Sequence, residues 1–369
     1  MTEPVDFDVH GLVGVRLLDA APGDVAAVER QLGPLRARLE REPDVVLRFV
    51  DSLPLPVHGL LGAGEAGFTD DAFLVFRGKH KSAVRVRIPF DRIGGRCEIT
   101  CESGLRAVPL LVPVINLTAL HGGALPLHAS AFVHRGAGVL CTGWSKGGKT
   151  EALLAFMAEG ATYVGDEWVY LNGGGERMHG IPEPVRVWDW HLRSLPRFRS
   201  AVGRSRRVRM SLTGLVLRGL RPARGRGSLA DRVANLLQRQ QYADLPPERL
   251  FGNGRLFGNG NGSAQARPDV VFFMGCHSSP EVVVTPIDPL EIAERMRFSL
   301  QEEEQTLRSW YHRYRFVFPA LENPHLERSP EKQREALRAC LAGKEAFEVR
   351  HPYPFALPAL YEAMAPRIG

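Results

Sequence analysis

The chain has 369 residues, 44% hydrophobic and 24% charged, with 47 Lys and Arg against 41 Asp and Glu, a net charge of +6. That balance excludes a wholly disordered chain, a collagen-like repeat and a disulfide-dense scaffold, and the length suits about two or three domains. No apolar run approaches the roughly 18–20 residues that span a bilayer, and residues 1–11 lack a basic and then apolar leader. A cytoplasmic protein without a membrane partner is therefore expected. The five cysteines (Cys97, Cys101, Cys141, Cys276, Cys340) are too scattered to staple such a chain and are expected as buried, reduced thiols.

The first 118 residues read as an α/β domain of unassigned role. Residues 25–40 carry helical periodicity, with Asp24 as the expected N-cap and Pro34 as a kink or split. Strands are expected at 45–50, 73–76 and 83–88, followed by a Gly-rich loop at 93–96 and a buried apolar helix at 108–120. From 119 to 369 the texture changes. Short apolar strands at 131–134 and 138–142 lead to a helix at 150–159, closed by Gly160. Strands at 162–164 and 168–171 and a turn at 172–175 come next. Strands at 270–274 and 281–285 precede a helical end, with helices at 289–316, 330–342 and 356–364 and one strand at 347–349.

Positive charge is concentrated in a basic insertion at about 193–265. Between His191 and Arg232, twelve arginines (Arg193, Arg197, Arg199, Arg204, Arg206, Arg207, Arg209, Arg218, Arg221, Arg224, Arg226 and Arg232) face one acid, Asp231, so the rest of the chain is slightly acidic. The unit Leu-Phe-Gly-Asn-Gly at Leu250 recurs at Leu256 and reads as a mobile surface loop. No aromatic interleaving accompanies the arginines, so a nucleic-acid partner is not expected. They could instead grip nucleotide phosphates or an acidic acceptor, or form a solvated basic loop.

One motif carries chemistry. Gly143-Trp144-Ser145-Lys146-Gly147-Gly148-Lys149-Thr150 fits G-x-x-x-x-G-K-[ST] between an expected strand and an expected helix. Glycines let several N–H groups converge on phosphate oxygens, the helix start adds its positive dipole end, Lys149 reaches the outer phosphates and Thr150 can ligate Mg²⁺. Lys146 adds a second cation. Sixteen positions beyond Thr150, after one helix and one strand, come Asp166 and Glu167, an acidic pair placed to hold the metal.

The sequence Leu127-His128-Ala129-Ser130, then the loop with Glu151 after it, then Val164-Gly165-Asp166-Glu167 resembles the HPr kinase/phosphorylase family. ATP-dependent phosphoenolpyruvate carboxykinases share the same order of motifs. The likeness is strong over about 45 residues. It implies an α/β fold in which a P-loop kinase domain of the HPr kinase/phosphoenolpyruvate carboxykinase type follows the N-terminal α/β domain. It also implies catalytic roles for Asp166, Glu167, His128 and Lys149, and ATP held by Gly143 to Glu151. Mg²⁺ or Mn²⁺ would be held by Thr150 and Asp166, with His128 near the γ-phosphate. Glu167 replaces the family's second Asp, which leaves open whether Asp166 or Glu167 is the base. The family's substrate signature has only a partial echo, at 215–220.

The expected activity is ATP-dependent transfer of the γ-phosphoryl group to a hydroxyl of a protein, peptide or small molecule. The alternatives are a non-catalytic ATP-binding regulatory module and a tailoring kinase of a peptide or secondary-metabolite pathway. HPr kinases are typically oligomeric, so a homo-oligomer is also expected on that resemblance. Trp188-Asp189-Trp190-His191 follows the acidic pair as either a pocket wall or core.

Overall fold

The computed structural model describes residues 3–53, 57–77, 83–220, 237, 240–252, 265–353 and 357–369. Arg221, Arg224, Arg226, Asp231, Arg232 and the second Leu-Phe-Gly-Asn-Gly unit lie outside the described residues.

The fold is mixed α/β. Strands β1 (Val5–Val9), β2 (Val13–Leu18), β3 (Val45–Val50), β4 (Gly59–Leu61), β5 (Ala66–Phe68), β6 (Phe73–Arg77), β7 (Ala83–Arg87) and β8 (Cys97–Glu102) form one sheet. Its order is β1-β2-β3-β8-β7-β6-β5-β4, with β3 parallel to both β2 and β8. Period-two alternation drives Val45, Leu47 and Phe49 inward, and likewise Cys97, Ile99 and Cys101. The two cysteines thus share the core face, where burial pushes both thiols up to about 12.

Helix α1 (Pro22–Leu32) packs on this sheet but differs from the expected helix. It stops at Gly33, whose φ of 71° breaks the helical path ahead of Pro34, and Arg36 instead bridges β1 at Phe7. Asp24 is not the N-cap. It sits in the first turn and its carboxylate accepts from the Ala21 and Gly104 amides at 3.2 and 2.7 Å. The apolar helix α2 runs Leu111–His121, three residues later than expected.

The second sheet holds β9 (Leu125–His134), β10 (Ala137–Gly143), β11 (Thr162–Gly165), β12 (Trp168–Asn172) and β13 (Arg177–Gly180). A separate two-stranded antiparallel sheet pairs β14 (Val185–Trp188) with β15 (Tyr242–Leu245), and β16 (Gln265–Ala266), β17 (Val270–Cys276), β18 (Val283–Pro286) and β19 (Glu345–His351) complete the set. The order is β16-β13-β12-β9-β10-β17-β19-β18, and β11 also pairs with β9. The run β10-β17-β19 is parallel, so three strand ends open on one side. Helix α3 (Lys149–Ala158) follows β10 and is buried almost all round.

Helices α4 (Asp189–Ser194) and α5 (Arg204–Leu220) lie between these two strands in sequence, and α6 (Pro247–Phe251) follows the second. Much of the supposed basic loop is therefore helical. Met210, Thr213 and Leu217 recur at helical spacing and are buried, giving α5 a docked face despite its charge.

Helices α7 (Pro289–Val317), α8 (Pro324–Leu341) and α9 (Leu357–Met364) finish the chain. Helix α8 starts before Pro330, not at it. The Leu326 carbonyl, which Pro330 cannot bond, accepts instead from Arg308 at 2.9 Å and Ser329 at 3.1 Å. Leu307, Tyr311 and Tyr314 of α7 enter the core of the first sheet. No described helix is long and apolar enough to cross a membrane.

Candidate functional site

The site forms where β10, β17 and β19 end. Gly143, at the end of β10, has φ 141°, and a side chain there would overlap the Met274 carbonyl of β17. Gly148, the N-cap of α3, has φ 100°, and a side chain there would strike the His351 ring of β19. These glycines are required by both conformation and contact. Lys146 also takes a left-handed φ of 62°, so the loop stores strain, as functional turns do. His351 braces the loop through Nε2 and the Gly147 carbonyl at 2.8 Å.

Trp144, Ser145 and Lys146 are exposed at the loop tip, while Gly147, Gly148 and Lys149 are buried. The Lys149 ammonium donates to the Gly143 and Trp144 carbonyls at 3.1 and 3.0 Å, folded back into the loop. Burial lowers its pKa, opposed by the nearby carboxylates of Glu167, Asp166, Glu303 and Glu151. The Ser130 hydroxyl donates to the Lys149 carbonyl at 2.7 Å, which gives the serine of the β9 motif a structural role.

The acidic pair occupies a break in a strand. Both β11 and β12 pair antiparallel with β9, and the ladders end at Gly165 opposite Ala131 and resume at Trp168 opposite His128. Asp166 and Glu167 fall in the gap, Glu167 with φ 66°, so their side chains diverge. Asp166 is buried and both its oxygens accept from the Thr150 hydroxyl at 3.1 Å. Burial, reinforced by the Glu167 charge, raises its pKa. Glu167 turns outward, and its hydrogen bond with His128, at 3.1 Å from Nε2, holds its pKa down.

His128 is clamped on its other side. Its Nδ1 meets Glu303 of α7 at 2.5 Å. Burial disfavours the charged ring, yet the bonds to Glu167 and Glu303 outweigh it and raise the pKa to about 9. Glu303 is a site residue that motif spacing does not reveal; the run of acids at 302–304 in mid-helix is its only signal.

Glu151 points away from the acidic pair, toward α4. His191 accepts the Trp188 amide at Nδ1, at 3.2 Å, so Nε2 carries the proton given to Glu151, also at 3.2 Å. Burial opposes the Glu151 charge, but the His191 bond prevails and its pKa is lowered. Trp188 and Trp190 are only half-buried; Trp190 packs on His191 with ring centres 4.0 Å apart. Cys276, unlike the other four cysteines, is exposed beside the loop.

Among the described residues, no group of three or more His, Cys, Asp or Glu is arranged to hold a metal ion. The donors present are the Thr150 hydroxyl and the Asp166 carboxylate, two hard oxygens on one side of the loop. That set fits Mg²⁺ or Mn²⁺ only where phosphate and water supply the remaining ligands. No protein-family model matches the chain, and no curated protein matches its sequence.

Proposed function

We propose that the chain is an ATP-dependent kinase that transfers the γ-phosphoryl group to a hydroxyl of a protein, peptide or small molecule. The observation that carries this reading is the division of the acidic pair. One acid lies buried on the P-loop threonine, and the other turns outward on a histidine.

In this reading Lys149 exchanges its two carbonyl partners for the outer phosphate oxygens, and the loop amides and the α3 N-terminus cradle the remainder. Thr150 and Asp166 would hold Mg²⁺ or Mn²⁺, which when bound neutralises phosphate charge. Glu167, half-exposed, positions the acceptor hydroxyl and takes its proton as the new oxygen–phosphorus bond forms. The bond from the γ-phosphorus to the bridging oxygen breaks and ADP departs. His128, held between Glu167 and Glu303, keeps Glu167 aimed and adds positive charge beside the reacting oxygens.

Calorimetric titration with ATP and Mg²⁺ tests the first step. Lys149→Ala is expected to weaken ATP binding by about tenfold or more, since charge-assisted hydrogen bonds are worth ~1.5–3 kcal/mol. Equal affinity in wild type and variant contradicts the reading.

A further inference from the structure

Helix α5 is docked on one side only. Its outer face carries Val208, Leu212 and Leu215, which are 52%, 57% and 59% exposed, in line with Arg204 and Arg207. That face forms one wall of an open groove of about 410 Å³. The other wall comes from α4 and the turn after it, through Leu192, Arg193 and Arg199. The groove therefore combines apolar surface with four guanidinium groups, and its one acid is Asp189.

That acid is already engaged. Asp189 accepts from Ser211 at 2.9 Å and pairs with Arg193 at 3.1 Å, tying α5 to α4. Arg199 spends its Nε on the Leu192 carbonyl at 2.9 Å. Among the described residues, neither Arg204 nor Arg207 has a carboxylate partner, and Arg207 Nε is buried with no acceptor. A buried donor left unmet is costly, and turning that side chain toward a ligand oxygen in the groove would relieve it.

We propose that this groove docks an acidic peptide segment bearing apolar side chains, and that the segment belongs to the phosphoryl acceptor. Carboxylates would meet Arg204 and Arg207, while leucine-like side chains would cover Val208, Leu212 and Leu215. A concave site favours a peptide over a membrane surface. A helix lying on lipid presents one apolar face with cations at its margins, whereas here Arg204 and Arg207 share the groove with the apolar residues. The position also suits an acceptor. Helix α4, which lines the groove through Asp189, Leu192 and Arg193, carries His191, the partner of Glu151 in the P-loop helix.

Only the word acceptor rests on the kinase reading, so binding is measured first without nucleotide. Fluorescence anisotropy is read with a labelled peptide alternating Glu and Leu around one Ser, with its Gln-for-Glu analogue, and with phosphatidylserine vesicles. The acidic peptide is expected to bind full-length protein about tenfold or more tighter than the analogue. R204E/R207E and, separately, L212A/L215A should each remove most of that gain; all four positions lie on the outer face of α5, outside the ATP site. In transfer assays R204E/R207E should raise the peptide KM and leave kcat nearly unchanged. Equal binding of the analogue, unchanged binding by both double variants, or vesicle binding in place of peptide binding overturns the proposal. Peptide binding without transfer to any acceptor supports the groove and counts against the kinase reading instead.

Discussion

Asp166 and Glu167 are neighbours in sequence but live in opposite environments, and the left-handed φ of Glu167 is what separates them. A non-glycine residue held there costs on the order of 1–3 kcal/mol, a strain compensated by the surrounding pairing to β9. The consequence is that His128 serves Glu167 alone, with Glu303 behind it. Glu303→Gln is expected to lower kcat by roughly tenfold while leaving ATP affinity nearly unchanged, because it loosens the aim of Glu167 without touching the loop. It should also move the loss of His128 charge from about 9 toward its ordinary value, so activity falls away at lower pH on the alkaline side. A pH profile of kcat for both proteins checks this. A profile and rate identical to wild type would remove Glu303 from the site.

At the scale of elements, the break between β11 and β12 depends on a close crossing. Gly165 and Gly180 pack backbone to backbone, and a side chain on Gly180 would overlap the Val164 carbonyl and Gly165. Gly180→Ala is expected to destabilise the fold by about 1–3 kcal/mol through overpacking, with transfer lost further because Asp166 follows Gly165 directly. Thermal melting and activity together check it; unchanged melting would contradict the packing account.

The elements around this crossing were the most legible in the sequence. Strand, glycine loop, lysine, helix and acidic turn stand at the fixed spacing expected of a phosphate-binding loop, a backbone geometry that few residue patterns supply. Glu303 was not legible, since its value arises only when α7 folds across β9 from 175 residues away. Nor was α5. Its arginines suggested a loop, and the sparse positions Met210, Thr213 and Leu217 that dock it were masked by the charge between them. Asp24 misled for a related reason: its carboxylate was free to cap a neighbouring backbone amide from inside the first turn.

For the whole molecule, the meeting of the two sheets carries a titratable pair. His10, at the β1–β2 turn, stacks on His179 of β13 with ring centres 5.1 Å apart, and donates through Nε2 to the Gly180 carbonyl at 2.8 Å. Among the described residues His179 has no hydrogen-bond partner on either nitrogen, and burial, with His10 and Arg177 nearby, lowers its pKa to about 4. Below 6.5 the unfolded chain takes up a proton that the folded chain refuses. The contribution of His179 to stability is therefore full above pH 6.5 and declines as the pH falls toward about 4. His179→Phe should flatten that part of the curve, which urea unfolding at several pH values would reveal. An unchanged slope would contradict the assignment.

The central claim is that Asp166 and Glu167 convert a P-loop into a kinase. The most direct measurement incubates γ-labelled ATP and Mg²⁺ with the protein and a cell extract, then identifies labelled species by mass spectrometry. The account predicts label on a hydroxyl of some acceptor with wild-type protein, and a loss of about a hundredfold or more with Asp166→Asn and with Glu167→Gln. Full transfer by Asp166→Asn, or no label on any acceptor while ATP binds normally, would contradict it.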